Sequence, residues 1–393
     1  MDKSRSLLFS LLIPSVLLAV GHQGLMLLLP LYVLELEGSA GSAAAIVGMR
    51  GVGMMLIDIP AGMLATRFGD KKAMLAALSC VLVTTLAFAF VVDWYGLVLI
   101  TLLYGIGVGA WLTARLSYVT DTCESTIRGR VIAALAGAMR AGAIIGPLLA
   151  GLTAKYFSFA AAFFVVGALT LGAMLFIALF ARNVPAGASE GTPHLDRLVG
   201  VIVSHRRTLA TAGSSALAIT LLRAARQLLI PLYGAALGID AAAIGLIFSL
   251  SMAIDLALFY PAGLLMDRRG RKWAAVPCAG LLALSLVLLP LAQGFTGLLL
   301  VALLAGVANG LGTGVVMTLG SDLSPPGRRG EFLGVWRLLS DLGLAGGPLL
   351  IGVLSHAGGL AVATFSVAGI GLIGMFVLLF HVQETLEKRT RHR

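Results

Sequence analysis

Five short anchors recur along this 393-residue chain at one fixed offset. Pro30-Leu31-Tyr32 returns as Pro231-Leu232-Tyr233, and Pro60-Ala61-Gly62 as Pro261-Ala262-Gly263. Asp121 returns as Asp322, Arg128-Gly129 as Arg329-Gly330, and Gly146-Pro147-Leu148-Leu149 as Gly347-Pro348-Leu349-Leu350. Each pair lies 201 residues apart (231 − 30, 261 − 60, 322 − 121, 329 − 128, 347 − 146). One period held across five anchors means two copies of one design joined head to tail.

The repeated unit is apolar. Hydrophobic residues make up 59% of the chain, charged residues 12%, and the mean hydropathy is +1.00. A soluble domain carries about 25% charged residues, so lipid is the expected solvent. A bilayer core needs about 20 apolar residues per helix. Such stretches fall near Leu7–Leu34, Ala43–Thr66, Ala73–Val92, Gly96–Val119, Val131–Ala154 and Phe159–Ala181. The second copy supplies Thr208–Tyr233, Ala242–Leu265, Trp273–Ala292, Gly297–Gly320, Phe332–Ser355 and Gly359–Phe380. The first run is too long for a signal-peptide core of about 7–15 residues and reads as a retained helix. The expected fold is an all-α membrane protein of twelve transmembrane helices. Residues 1–181 form one six-helix bundle, 182–207 a linker, and 208–393 a second bundle with a short basic tail.

Charge placement sets the topology. The 28 Lys+Arg against 18 Asp+Glu leave +10, which in a soluble protein would suggest nucleic acid. Here the cations concentrate in alternate loops: Arg67, Lys71, Lys72; Arg128, Arg130; Arg182, Arg206, Arg207; Arg268, Arg269, Arg271, Lys272; Arg328, Arg329. Both ends, with Lys3, Arg5, Lys388 and Arg389, belong to that set. The opposite loops hold Glu35, Glu37, Asp93 and Asp240, with Lys155 their one cation. The positive-inside rule then places both termini in the cytoplasm of a multi-pass inner-membrane protein. The surplus is a topology signal, and no nucleic-acid partner is expected. In the linker, Pro185, Gly187, Gly191 and Pro193 read as loop, and Leu195, Leu198, Val199 and Ile202 have the spacing of an interfacial helix or of an ordinary solvated linker. Cys80, Cys123 and Cys278 have no metal or disulfide spacing.

The loop after the second span reads Gly62-Met63-Leu64-Ala65-Thr66-Arg67-Phe68-Gly69-Asp70-Lys71-Lys72, and its repeat Gly263-Leu264-Leu265-Met266-Asp267-Arg268-Arg269-Gly270-Arg271-Lys272. Glycines let helices approach closely, and the charges can hold a nearby helix end or carboxylate such as Asp121 or Asp322. This loop resembles the Gly-x-Leu-Ala-Asp-Arg-x-Gly-Arg-Lys motif of the major facilitator superfamily, and the six-plus-six layout extends the resemblance over nearly the whole chain. The resemblance implies a cytoplasmic gate built from Gly62, Arg67, Gly69, Asp121, Gly263, Asp267, Arg268, Gly270, Arg271 and Asp322, with Asp58 nearby. Thr66 stands where the family has Asp, so only the second copy, through Asp267, keeps the charged latch. Gly142, Gly146 and Pro147 resemble the Gly-x-x-x-Gly-Pro motif of proton-coupled antiporters, and Gly24 to Pro30 a drug-exporter pattern. The exporters' fourth-span Arg is Thr101 here.

Nine ionisable residues lie within the spans: Arg50, Asp58, Arg115, Arg140, Arg223, Arg226, Asp255, Arg337 and Asp341. Each costs about 2.5–3.5 kcal/mol at mid-helix, so each should pair or line a cavity. Arg140 and Asp255 come out at matching depths, which predicts either an ion pair between the halves or two cavity-lining charges. Asp341 should meet Arg50, or pair locally with Arg337 at i,i+4. Arg223 and Arg226 share a helix face, which suits a bound anion or contact with water. Asn309 is expected in a helix–helix hydrogen bond, and His22 in either a titrating or a hydrogen-bonded packing role.

No nucleotide loop, metal set or nucleophilic triad is legible, so the chain is not expected to be an enzyme and no cofactor is expected. The reading is a secondary active transporter working by alternating access: an antiporter driving proton-coupled efflux of a small apolar or amphiphilic compound, either neutral or anionic. The alternative is a symporter or exchanger for a small organic or phosphorylated anion. A receptor or scaffold with transporter ancestry is the reading from another class. The expected cavity is His22, Gln23, Arg50, Arg140, Arg223, Arg226, Gln227, Asn309 and Arg337, with Asp255 and Asp341 carrying protons. The expected partners are a small-molecule substrate, protons and the bilayer, for a monomeric protein.

Overall fold

The structure, a computed structural model, describes residues 8–182, 195–325 and 327–386. The loop expected at Pro185 to Pro193 and the basic residues at both ends lie outside the described residues, as do the side chains of Thr66, Leu195, Leu198 and Val199. The described chain is helical, with α1 Ile13–Glu37, α2 Ala40–Phe68, α3 Asp70–Ala87, α4 Trp94–Thr122, α5 Ser125–Tyr156 and α6 Phe159–Phe180. After the short helix α7 (Leu195–Ser204) come α8 Ser214–Ala236, α9 Ala241–Arg269, α10 Lys272–Leu288, α11 Gly294–Leu311, α12 Val315–Leu323 and α13 Arg329–His381. Ten of these stretches are long and apolar enough to cross a membrane. The apolar stretches fall on helices, the tenth on two of them. The last two share α13, which breaks at Gly359 (φ 85°, ψ 169°).

Turn chemistry explains the starts opposite the termini, called here the far side. Ser39, Asp93, Ser158 and Asp240 each accept a backbone N–H of the first turn, at 3.3, 2.7, 3.0 and 3.0 Å. These caps satisfy N–H groups that a helix start leaves unpaired. On the terminus side Gly69 (φ 84°) and Gly270 (φ 114°) turn the chain between helices, a conformation that favours glycine.

The tenth stretch departs from the expected continuous span. It breaks between α11 and α12, where Gly314 takes φ 81°. Irregular backbone at membrane depth is tolerated where it lines a cavity, and Thr313 and Gly314 do so.

α1 to α6 pack on one another, as do α8 to α13, and the two bundles meet along α1/α8, α2/α13 and α5/α9. Glycine sets the closeness of the seams. A methyl built on Gly51 would lie 2.6 Å from Ala345 Cα, and one on Gly245 2.4 Å from Pro147 O. Ser249 Oγ donates to Ile144 O at 2.6 Å, and Lys155 bridges to Asp240 at 3.0 Å at the far end. The bundles are closed on the far side. In α7, Val201 is fully buried while Ile202 is 45% exposed. His205, just after α7, packs edge-on against Phe332 at the start of α13.

Candidate functional site

Between the bundles lies a two-lobed cavity. One lobe, about 330 Å³, is walled by Arg140 of α5, Arg223, Arg226 and Gln227 of α8, Asp255 of α9 and Asn309 of α11. The other, about 240 Å³, is walled by His22 of α1, Arg50 of α2, and Trp111 and Arg115 of α4. Gln23, Met139 and Gln227 line both and join them. Five guanidinium groups therefore face one carboxylate, Asp255, in a wall that also holds His22, Gln23, Gln227, Asn309 and Thr313 among methionine, alanine and leucine side chains.

Each cation is held in place without a full set of partners. Arg226 is 2% exposed. It donates to Ala305 O at 3.0 Å, reaches Met252 Sδ at 3.5 Å and lies 5.9 Å from the Phe248 ring centre. Arg223 donates to Gly312 O at 2.7 Å, using the backbone freed by the helix break. Arg50 has Met54 Sδ at 3.9 Å, and Arg115 lies over Trp111 with Ser15 Oγ at 3.4 Å. The Nε atoms of Arg50, Arg223 and Arg226 are buried without a hydrogen-bond partner. Unspent donors on buried cations favour an anionic or strongly accepting guest.

The proposed ion pair between Arg140 and Asp255 does not form. Arg140 stacks on Phe259 at 3.8 Å and donates to its own Ala136 O at 3.3 Å. Asp255 accepts from Asn309 Nδ2 at 2.6 Å and Thr313 Oγ1 at 3.3 Å. Two nearby neutral donors satisfy the carboxylate, so the arrangement is the cavity-lining one. The same bond places Asn309 in the helix–helix role expected of it. His22 hydrogen-bonds Tyr104 Oη at 2.8 Å with the rings stacked, the packing role.

Arg337 and Asp341 belong elsewhere. Arg337 Nη2 reaches Asp58 Oδ1 on α2 at 2.8 Å, and its Nε lies 3.5 Å from Asp341. Neither lines the cavity lobes, and no Arg50–Asp341 ion pair is formed among the described residues. The local i,i+4 geometry wins, and Asp58 joins it from the other bundle.

The two motif loops differ in chemistry. In the second, Arg271 pairs with Asp322 at 2.8 Å, while Asp267, 78% exposed, is 3.8 Å away. Glu384 accepts the backbone N–H groups of Arg271 and Lys272 at 2.8 and 3.0 Å. Partial burial alone would raise the Glu384 carboxyl, but these bonds outweigh it and hold it below the usual range. In the first loop the residue 201 positions before Arg271 is Asp70, 3% exposed. Burial pushes its carboxyl above the usual range, a Ser117 contact opposes this, and the Asp121 carboxylate adds to it. Lys71 donates instead to Ala178 O at 2.8 Å, and Arg67 lies over Phe68. Aligning the repeats gave the signal for this reversal, Asp70 against Arg271, which the single substitution at Thr66 hid. At Gly62 and Gly263 a methyl meets nothing within 4 Å. Among the described residues Arg268 forms no ion pair across the loop. Gly142 and Gly146 are close-approach positions, where a methyl would lie 2.5 Å from Ala19 C and 2.3 Å from Val20 O of α1.

Comparison with known proteins agrees with this architecture. The sequence profile of the Major Facilitator Superfamily matches residues 11–222 and again residues 213–393. Multidrug resistance protein MdtG of Salmonella arizonae is 29% identical over 185 residues, 46% of this chain and 45% of that protein. The same figures hold for the MdtG of Salmonella newport. The matched region thus spans about half the length of these curated relatives. A bacterial homologue of the human lysosomal transporter Spinster, inward-facing and unoccupied, superposes with a TM-score of 0.77 at 14% identity, covering 95% of this chain and 96% of that one. The human organic anion transporter MFSD10 (TETRAN) gives 0.66 at 18% identity, covering 96% and 100%. With both copies of its repeat matched and its helices in the same arrangement, the chain belongs to the Major Facilitator Superfamily of membrane transporters.

Proposed function

We propose that the chain is an alternating-access antiporter of the inner membrane that exports a small amphiphilic anion in exchange for protons. The two repeats, 1–181 and 208–393, are the moving bodies and 182–207 is the link between them. The observation that carries this is the cavity: five guanidinium groups, one carboxylate and an apolar wall, lying between the bundles. A permanent cation would meet an unfavourable field there, whereas an anion with an apolar body would find both donors and contact area. The basic loops support placing the terminus side in the cytoplasm, so that the far-side closure leaves the cavity facing inward. Asp255 is the cavity's proton carrier and Asp341 that of the seam between bundles. Protonation of Asp255 would release its bonds to Asn309 and Thr313 beside the helix break. The similarity of half the chain to MdtG, a multidrug resistance protein, supports export.

The surplus of arginines also favours a second reading, a symporter or exchanger for a small organic or phosphorylated anion. Net flux under an imposed pH gradient separates the two. In proteoliposomes, export requires an anionic amphiphile to move against the proton flow, and co-movement with protons establishes the second reading. Absence of any flux with either anion class rejects both.

A further inference from the structure

A second hollow lies on the flank of the first bundle and shares no lining residue with the central cavity. Small residues create it: Ala73, Ala76, Ala77 and Cys80 on α3, and Gly107 and Ala110 on α4, which leave a groove of about 360 Å³ beside α2. The positions 201 residues further on hold Ala274, Pro277, Cys278, Leu281, Ala308 and Leu311. Bulk thus replaces small side chains at most of the same places in the second repeat. Leu64 and Phe68, on the groove's α2 side, are 42% and 52% exposed, so it opens outward toward lipid.

One end of the groove is charged. Lys72, exposed, lines it at the terminus side. Arg67 holds its guanidinium 5.4 Å from the centre of the Phe68 ring, on the groove wall. Lys71 is engaged with Ala178 O, and Asp70, the one acid in this turn, is 3% exposed. The mouth therefore presents net positive charge above an apolar slot, at the terminus-side end of α2 and α3. In the second repeat the residue matching Lys72 is Trp273, so the lysine at the mouth is not repeated.

We propose that this groove binds an anionic phospholipid, with one acyl chain along α3 and the phosphate against Lys72. Apolar length fits the chain, and the cation at the mouth selects the head group, as basic sites at helix ends do for anionic lipids. The site does not depend on what the central cavity carries.

The groove contains its own reporter. Cys80 lines it and is partly exposed, whereas Cys123 and Cys278 are buried. Maleimide labelling of Cys80 should be slower in nanodiscs containing phosphatidylglycerol than in phosphatidylcholine alone. The expected factor is about fivefold, the equivalent of about 1 kcal/mol for one lysine at an anionic surface. Lys72→Gln should abolish the difference, and Lys72→Arg should keep it. Ala76→Leu, an exposed position that can accept the larger side chain, should reduce the phosphatidylglycerol retained in native mass spectra. Equal labelling in the two lipids overturns the proposal. So does a slowdown that survives Lys72→Gln, which would mean an uncharged occupant, or protection in phosphatidylcholine by a transported compound alone.

Discussion

Gly245→Ala should force the bundles apart on the far side. The added methyl would lie 2.4 Å from Pro147 O and 3.1 Å from Pro147 C, with Leu27 Cδ2 at 3.3 Å. The two nearest atoms are backbone of α5, which cannot swing aside as a side-chain tip can. Overpacking of this kind costs about 1–3 kcal/mol. If the far side opens and closes as a two-state equilibrium, that range shifts it roughly 5- to 150-fold toward the open form. Spin labels at Phe157 and Ala236, both exposed on the far side of opposite bundles, report the separation by pulsed electron resonance in a Cys80→Ser background. Wild type should show a dominant short distance and Gly245→Ala a new, longer population. Gly369→Ala, where a methyl meets nothing within 4 Å, should leave the distribution unchanged. A folded Gly245→Ala protein with the wild-type distribution would refute the reasoning, as would an equal shift in Gly369→Ala.

Other outcomes follow from single groups. Arg226→Gln keeps hydrogen-bonding capacity but removes a buried charge, so it should weaken an anionic ligand by at least about tenfold and a neutral analogue far less; competition binding on purified protein checks this, and equal losses would place Arg226 away from the ligand. Asp70 has a raised carboxyl pKa from its ordinary 3.8, so the folded state holds its proton more tightly and stability falls as pH rises from 3.8 through the raised value. Asp70→Asn should therefore raise the melting temperature at neutral pH, with the gain shrinking toward acid; a gain that persists unchanged into acid contradicts the assignment. Glu384 has the opposite sign: held below its ordinary 4.5, it stabilises above that value and the contribution is lost as pH falls through the folded value. Glu384→Gln should expose the Arg271 and Lys272 amides to faster hydrogen exchange at neutral pH, and unchanged protection would remove Glu384 from that role.

The period of 201 residues and the apolar stretches made the helices and the two-copy layout legible, because span length and repeat offset need no side-chain geometry. Charge pairing was less legible. Depth counting put Arg140 beside Asp255, but depth says nothing of azimuth, and the aromatic ring of Phe259 on the same helix as Asp255 offered Arg140 another partner. Asp341 lay within one turn of Arg337, and the local contact prevailed over the distant one to Arg50. The helix break at Gly312 to Gly314 was hidden by an unbroken apolar composition. Its signal was Gly312 and Gly314 flanking Thr313, four residues after Asn309. Arg115 was legible only as a charge within a span; α4 carries it into the cavity beside Trp111. The Asp70 reversal is legible only against Arg271, its counterpart 201 positions on, and not in the family pattern at Thr66.

The most direct test of the central claim is anion-driven proton uptake into proteoliposomes. Protein is reconstituted with a pH-sensitive dye inside, an outward gradient of a fluorescent anionic amphiphile is imposed, and proton movement is followed for wild type and Asp255→Asn. The account predicts that wild type moves protons opposite to the anion, that a quaternary ammonium dye of similar size elicits no flux, and that Asp255→Asn still binds the anion but uncouples it from protons. Coupled transport of the quaternary dye, or wild-type proton coupling in Asp255→Asn, would contradict it.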